Sequence, residues 1–199
     1  FIATPTYFLN VPAKIKAING RLLYAHNMFD AKNRKPAGVL ITSGRQGWEG
    51  FTVQSMSVML LSLGFYVKDV LQTYAQGPSE VLLSSNIEEK VKIFTEKVMD
   101  PQYKIPSISD RCPYCFGKSF ELKGDHRVRC EICDLYGEIV SQEDGKTLIL
   151  FSEDDINKCR WTEKRLLDHM QNWVENSGRT YRAHVRDVMK LRKQLLNQD

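Results

Sequence analysis

Phe1-Ile2-Ala3-Thr4-Pro5-Thr6-Tyr7-Phe8-Leu9-Asn10 opens the chain as a short apolar run that ends in a turn. A helix with Pro12 in its first turn follows, a position where the missing N–H costs nothing. The unit reads as a strand, a loop at the strand's carboxyl end, and a helix. In open α/β sheets ligands sit at that end of the strands. Thr4, Pro5, Thr6, Tyr7 and Phe8 offer aromatic rings, hydroxyls, a rigid proline and backbone amides, which suit a flat, polar-edged cofactor.

The chain that follows repeats the pattern. Residues 11–26 read as a helix with Ile15, Ile18 and Leu22 as its buried stripe and His26 as a solvated or capping residue at its end. After a polar loop over 27–36, Ala37-Gly38-Val39-Leu40-Ile41-Thr42 is wholly apolar, the mark of a strand covered on both faces. It leads into Thr42-Ser43-Gly44-Arg45-Gln46-Gly47-Trp48-Glu49-Gly50, whose three glycines in seven residues let a backbone approach a ligand closely. Val53, Met56, Leu60 and Leu63 then mark a helix with Gly64 as its cap. The amides at that helix start favour negative charge in the loop. Phe65 to Val70 is a third strand, residues 72–79 are a polar loop, and Ile87, Val91, Phe94 and Val98 are the stripe of a further helix.

From Arg111 the style changes. Cys112-Pro113-Tyr114-Cys115 and Cys130-Glu131-Ile132-Cys133 are separated by fourteen residues. Four thiolates at this spacing supply a tetrahedral site, the zinc-ribbon pattern. Between and after the pairs, Ser119–Leu122 with Arg127–Arg129 and Glu138–Val140 with Thr147–Leu150 read as hairpins. A structural zinc ion is the first reading; a rubredoxin-like iron centre has the same ligand set, and disulfide exchange by one pair is the third. With four cysteines on the metal, His126 is left exposed, and Cys159 is a free, inert thiol.

Beyond the ribbon, Leu166, Leu167, Met170, Trp173 and Val174 form one helical stripe. Asn176-Ser177-Gly178 breaks it, and Tyr181 to Leu196 form a second, basic helix. The 199 residues are 42% hydrophobic and 26% charged, ordinary for a globular chain with room for one medium and one small domain. A net charge of +4 does not argue for nucleic acid. No apolar run approaches the ~18 residues of a membrane helix. Five cysteines, four of them in metal-type pairs, point to a reducing, cytoplasmic setting.

Together the two loops resemble the flavodoxin-like NADPH-dependent FMN reductase family, which includes the iron–sulfur flavoproteins. Thr4-Pro5-Thr6-Tyr7-Phe8 with Ala13-Lys14-Ile15-Lys16-Ala17 matches its Ser/Thr-Pro-x-Tyr loop and lysine-bearing helix. Thr42 to Gly50 matches its Thr-Gly-Gly-rich loop. The resemblance covers roughly residues 1–99. This chain departs at Ile18-Asn19-Gly20-Arg21 and at Trp48, and it lacks the compact cysteine cluster of the iron–sulfur members.

The fold expected from the resemblance is α/β: the C-terminal part of a flavodoxin-like doubly wound parallel sheet (residues 1–100), a linker (101–110), a small four-cysteine zinc ribbon (111–151) and C-terminal helices (152–199). It implies FMN bound by Thr4, Pro5, Thr6, Tyr7, Phe8, Ser43, Gly44, Arg45, Gln46, Gly47 and Trp48. Amides of Thr6, Tyr7 and Phe8 would meet one flavin edge, and those of Gly44 to Gly47 the pyrimidine edge. It also implies NAD(P)H as donor, a quinone, metal or other acceptor, a homo-oligomer with flavin near a subunit interface, and no side-chain acid, base or nucleophile. The family's phosphate loop has no counterpart before Thr4, so half of the domain is expected upstream. The competing readings are an FMN electron carrier and a ribbon-based interaction or nucleic-acid-binding protein. The mixed charges of the bridging hairpin argue against the last.

Overall fold

The computed structural model describes residues 1–22 and 33–196. They form two compact units, Phe1–Thr162 and Glu163–Asp199. His26 and the end of the first expected helix lie outside the described residues.

The first unit carries a parallel sheet of β1 (Ile2–Pro5), β2 (Lys35–Ser43) and β3 (Phe65–Tyr74), in the order β1-β2-β3. Ile2 pairs with Val39, and Ala37 with Val67. Parallel neighbours need crossovers. The helix α1 (Ala13–Arg21) stands between β1 and β2, and α2 (Thr52–Ser62) between β2 and β3. Successive side chains of β2 face opposite ways. Ala37, Val39 and Ile41 pack with Val53, Met56, Met59 and Leu60 of α2, and Ile15 and Leu22 lie against that group. Burying a side chain such as Met56 contributes about 1.5–3 kcal/mol.

Gly38 faces the other way. A Cβ there would lie 2.7 Å from Phe94 and 2.8 Å from Val98, both on α3 (Ile87–Met99), and 2.9 Å from Phe1. The missing side chain lets α3 rest directly on β2, with Phe1 and Phe94 edge to face at 5.6 Å. Helices therefore cover both faces of a parallel sheet, the flavodoxin-like arrangement expected. One irregularity interrupts it. Asp69, not Lys68, opposes Gly38, so Lys68 is the extra residue of a bulge.

The second sheet is antiparallel, in the order β4 (Ile108–Ser109), β8 (Thr147–Leu150), β7 (Leu135–Ser141), β6 (Arg127–Cys130), β5 (Glu121–Leu122). The β5–β6 hairpin turns at Gly124, Asp125 and His126, all left-handed. His126 is exposed. The two sheets share a core: Phe116 joins Met56 and Val53. A short helix, α4 (Glu153–Ile156), is capped by the Ser152 hydroxyl, which accepts from the Asp155 amide at 3.1 Å.

Several expectations are corrected. Ile18 is 48% exposed, because α1 turns only the Ile15–Leu22 line to the core. Val91 is likewise exposed. The third strand runs on through Gln72, Thr73 and Tyr74, where Thr73 and Thr42 hydroxyls meet at 2.9 Å across the ladder. Ile108 and Ser109, in the segment read as a linker, pair with β8. β2 begins at Lys35, two residues before the expected apolar run.

The second unit contains α5 (Glu163–Asp168), a π-helical stretch (His169–Glu175) and α6 (Ser177–Leu196). The break falls at Asn176, whose side-chain amide donates to the Gln171 carbonyl at 2.9 Å. No described helix is long and apolar enough to cross a membrane.

Candidate functional site

At the carboxyl ends of β1 and β2 the two loops converge. Residues Tyr7 to Asn10 close a tight turn: the Tyr7 amide donates to the Asn10 carbonyl at 2.8 Å, and the Asn10 amide returns at 3.1 Å. Its central residues, Phe8 and Leu9, are both left-handed, with φ of 48° and 62°. Left-handed bulky residues cost of order 1–3 kcal/mol each and persist only where surroundings hold them. Here the Asn10 carboxamide oxygen does so, accepting from the Val11 amide and the Ser55 hydroxyl, each at 2.8 Å. The Phe51 amide also donates to the Leu9 carbonyl at 2.7 Å, which joins the loops directly.

Thr6, Phe8, Leu9, Ser43, Gly44, Arg45 and Trp48 line a cavity of about 180 Å³ between the loops. The structure thus brings together six of the eleven residues suggested for a cofactor. Thr4, Pro5, Tyr7, Gln46 and Gly47 do not line this cavity; Thr4 is buried under it in β1. The Thr6 hydroxyl is buried and has no partner among the described residues. Among the described residues the amides of Gly44, Arg45, Gln46 and Gly47 also have no acceptor. Two of the amides suggested for the opposite edge are engaged: Thr6 donates to the Thr42 carbonyl at 2.8 Å, and Tyr7 closes its own turn. Aromatic surface surrounds the opening, with Phe8 fully exposed and Tyr7, Trp48 and Phe51 each more than half exposed.

The four paired cysteines meet in a second place. Their sulfurs all lie within 4.8 Å of one another, Cys115 and Cys130 at 3.5 Å, and all four residues are buried. Zinc–sulfur bonds of ~2.3 Å in a tetrahedron place sulfurs about 3.8 Å apart. The two knuckles are alike: Phe116 and Asp134 each follow the second cysteine, each is left-handed, and each donates its amide to the first cysteine's carbonyl, at 2.9 and 2.8 Å. Burial holds the Cys112 thiol well above its ordinary value, whereas hydrogen bonds from the neighbouring thiols, Cys112 first, hold Cys130 below. Without a cation such a cluster cannot ionise fully; a divalent ion lets all four sulfurs be thiolates. Cys159 is fully buried.

The chain is similar to a solved structure described as a flavone reductase. The TM-score is 0.67 at 17% identity, covering 98% of this chain and 74% of that one. At that identity the likeness establishes the fold. No protein-family model and no curated protein matches the sequence.

With the flavone reductase-like fold in place, the ribbon gains a position. Arg111, Phe116, Gly117, Lys118 and Ser119 form one wall of a second cavity, about 240 Å³, whose other wall is Gly47, Glu49, Gly50, Val53, Gln54 and Gln72. One Glu49 oxygen and the Gln54 carbonyl oxygen are buried without partners among the described residues. Burial, then the charge of Glu49, raises the Tyr74 phenol. The Gly44–Gly50 loop therefore lies between two cavities. Asn10, Glu49 and Gln54 were not singled out from the sequence. An asparagine ending a turn ahead of Val11-Pro12 was a signal for Asn10; Glu49 and Gln54 gained significance only when the distant ribbon folded beside them.

Proposed function

We propose that the chain is an FMN-dependent NAD(P)H oxidoreductase whose flavin edge enters the cleft between residues 6–9 and 43–48. The observation that carries this reading is the pairing of unpartnered donors across one cleft: the buried Thr6 hydroxyl and the free amides of Gly44 to Gly47. A cleft of about 180 Å³ lies below the ~300–1,000 Å³ usual for a whole small-molecule site, so it fits one edge of a large planar ligand. The amides of Gly44 to Gly47 would hold the polar edge of the ring, with Trp48 and Phe8 against its flat surface.

Bound FMN supplies hydride and electron transfer, and the protein supplies placement and electrostatics. Unpartnered N–H groups favour negative charge at the edge they face, which raises the potential of whatever binds there. Tyr7, Phe8, Trp48 and Phe51 would be covered by nicotinamide, by the acceptor or by a second subunit. The four cysteines would hold zinc as a structural ion, since four thiolates leave it no open position.

Titration of the purified chain with FMN, followed by tryptophan fluorescence and flavin absorbance, tests the site. Saturable binding that a Gly44→Val substitution weakens by at least about tenfold is expected, because a side chain there covers the amides. Equal binding by wild type and Gly44→Val contradicts the proposed site.

A further inference from the structure

A third cavity lies at the other end of the sheet. Arg34 precedes β2, and Tyr66, Val67 and Lys68 begin β3, so this is the amino end of the strands. Nine residues of β2 separate it from the glycine loop, roughly 30 Å at ~3.3 Å per residue. The cavity measures about 410 Å³, within the range of small-molecule sites. Arg34, Lys68, Lys104, Tyr66, Tyr103 and Tyr114 line it with apolar side chains such as Ile105, and among the described residues no carboxylate does.

The cations are unusual. Lys68 is only 4% exposed, yet its ammonium bonds to no acid among the described residues. It donates to the Asp100 carbonyl at the end of α3 and stands 5.9 Å from the Tyr103 ring centroid. The neighbouring acid, Asp69, pairs with Lys97 at 3.4 Å, and Lys97 itself lies 5.8 Å from the same ring. Arg34 donates to the Trp161 carbonyl at 2.8 Å and the Phe65 carbonyl at 2.5 Å, and its buried Nε–H has no partner among the described residues. Buried charges are normally paired with opposite charges. A lysine serving only to cap α3 would not account for the second cation, the unused Nε–H or the lack of an acid among the described residues of the lining. The bulge at Lys68 is the device that places it: in regular register its side chain would follow the strand's alternation, and bulges re-aim side chains.

We propose that this cavity binds an aromatic carboxylate of one or two rings, its charge between Arg34 and Lys68 and its rings among Tyr66, Tyr103 and Tyr114. The carboxylate supplies the missing counter-charge. The tyrosine rings supply stacking surface, and exposed Lys104 stands at the mouth. The site is separate from the flavin cleft and does not depend on it.

Calorimetric titration of the zinc-loaded full chain with 2-naphthoate, and with the neutral 2-naphthamide, tests the proposal. One saturable site is expected, at least about tenfold tighter for naphthoate, as a charge-assisted contact predicts. Lys68→Met, and Arg34→Met separately, should abolish that preference, whereas Gly44→Val, altered only at the far end of the sheet, should leave naphthoate binding intact. If either core variant loses its cooperative thermal transition, Lys104→Met decides, with at least about a threefold loss of preference expected. No saturable binding, equal affinity for the two compounds, a preference unchanged in the folded variants, or loss of binding in Gly44→Val overturns the proposal.

Discussion

Gly50 is in contact with Leu9: a Cβ on Gly50 would lie 2.6 Å from both the Leu9 Cβ and the Leu9 carbonyl oxygen, and Gly50 is left-handed at φ 44°. Two constraints thus demand glycine at the point where the loops join. Gly50→Ala should push the loops apart and break the Phe51–Leu9 hydrogen bond. FMN affinity should fall by at least about tenfold, with a stability loss of about 1–3 kcal/mol. Chemical denaturation beside FMN titration measures both. Unchanged affinity would show that the junction does not shape the cleft.

Gly38 predicts an effect on stability without an effect on the site. Its Cβ would meet Phe94, Val98 and Phe1 inside 3 Å, and α3 must shift to admit it. Gly38→Val should destabilise the first unit by about 1–3 kcal/mol, the usual cost of overpacking, while the folded fraction keeps the wild-type FMN affinity. A neutral effect in thermal unfolding would refute this close packing.

Much of this arrangement was legible in the sequence, and for local reasons. Turn residues and glycines mark the ends of β1 and β2, and an apolar run marks β2, so both loops could be placed at one end of a parallel sheet. The cysteine spacing gave the knuckles because metal geometry constrains short segments. The misreadings arose where distant chain decides. Lys68 looks like an ordinary polar residue of a strand; only the register against β2 makes it a buried bulge residue. Ile108 and Ser109 carry no strand signal alone and become one by pairing with β8. The Thr6 amide was read as a free donor, yet it takes the Thr42 carbonyl, an acceptor in another strand.

Metal removal should affect more than the ribbon. Phe116 follows Cys115 directly and packs with Met56 and Val53 under the parallel sheet. Zinc binding contributes about 10–16 kcal/mol to folding in isolated zinc modules. Elemental analysis should find one zinc per chain, and a chelator or Cys130→Ser should lower the transition of the parallel sheet as well. A chelated protein that melts unchanged would contradict a structural metal.

Acid should weaken the loop before α3. The Glu80 carboxylate accepts the Gly77 amide at 2.7 Å and the Gln76 amide at 2.8 Å, and these bonds hold it below its ordinary value of 4.5. A carboxylate depressed in the folded state contributes stability above its unfolded value, and that contribution is lost as pH falls through its folded value. Glu80→Gln should therefore be less stable than wild type at about pH 7 and equal to it at about pH 2. A gap that persists at low pH would assign the effect to packing.

Trp48 is 57% exposed on the wall of the cleft. FMN should quench its fluorescence, and Trp48→Phe should remove most of that quenching while lowering affinity by about tenfold or less, since an aromatic ring remains. Quenching undiminished in Trp48→Phe would place the flavin elsewhere.

The central claim, that the cleft holds a flavin which a nicotinamide reduces, is tested most directly by one spectrum. The FMN-loaded protein is mixed with NADPH, and separately NADH, without oxygen, and the visible flavin band is followed. The band should bleach with at least one of them and return when oxygen or a quinone is added. A flavin band indifferent to both nucleotides would leave a carrier rather than a reductase, and a protein that takes up no flavin would contradict the account altogether.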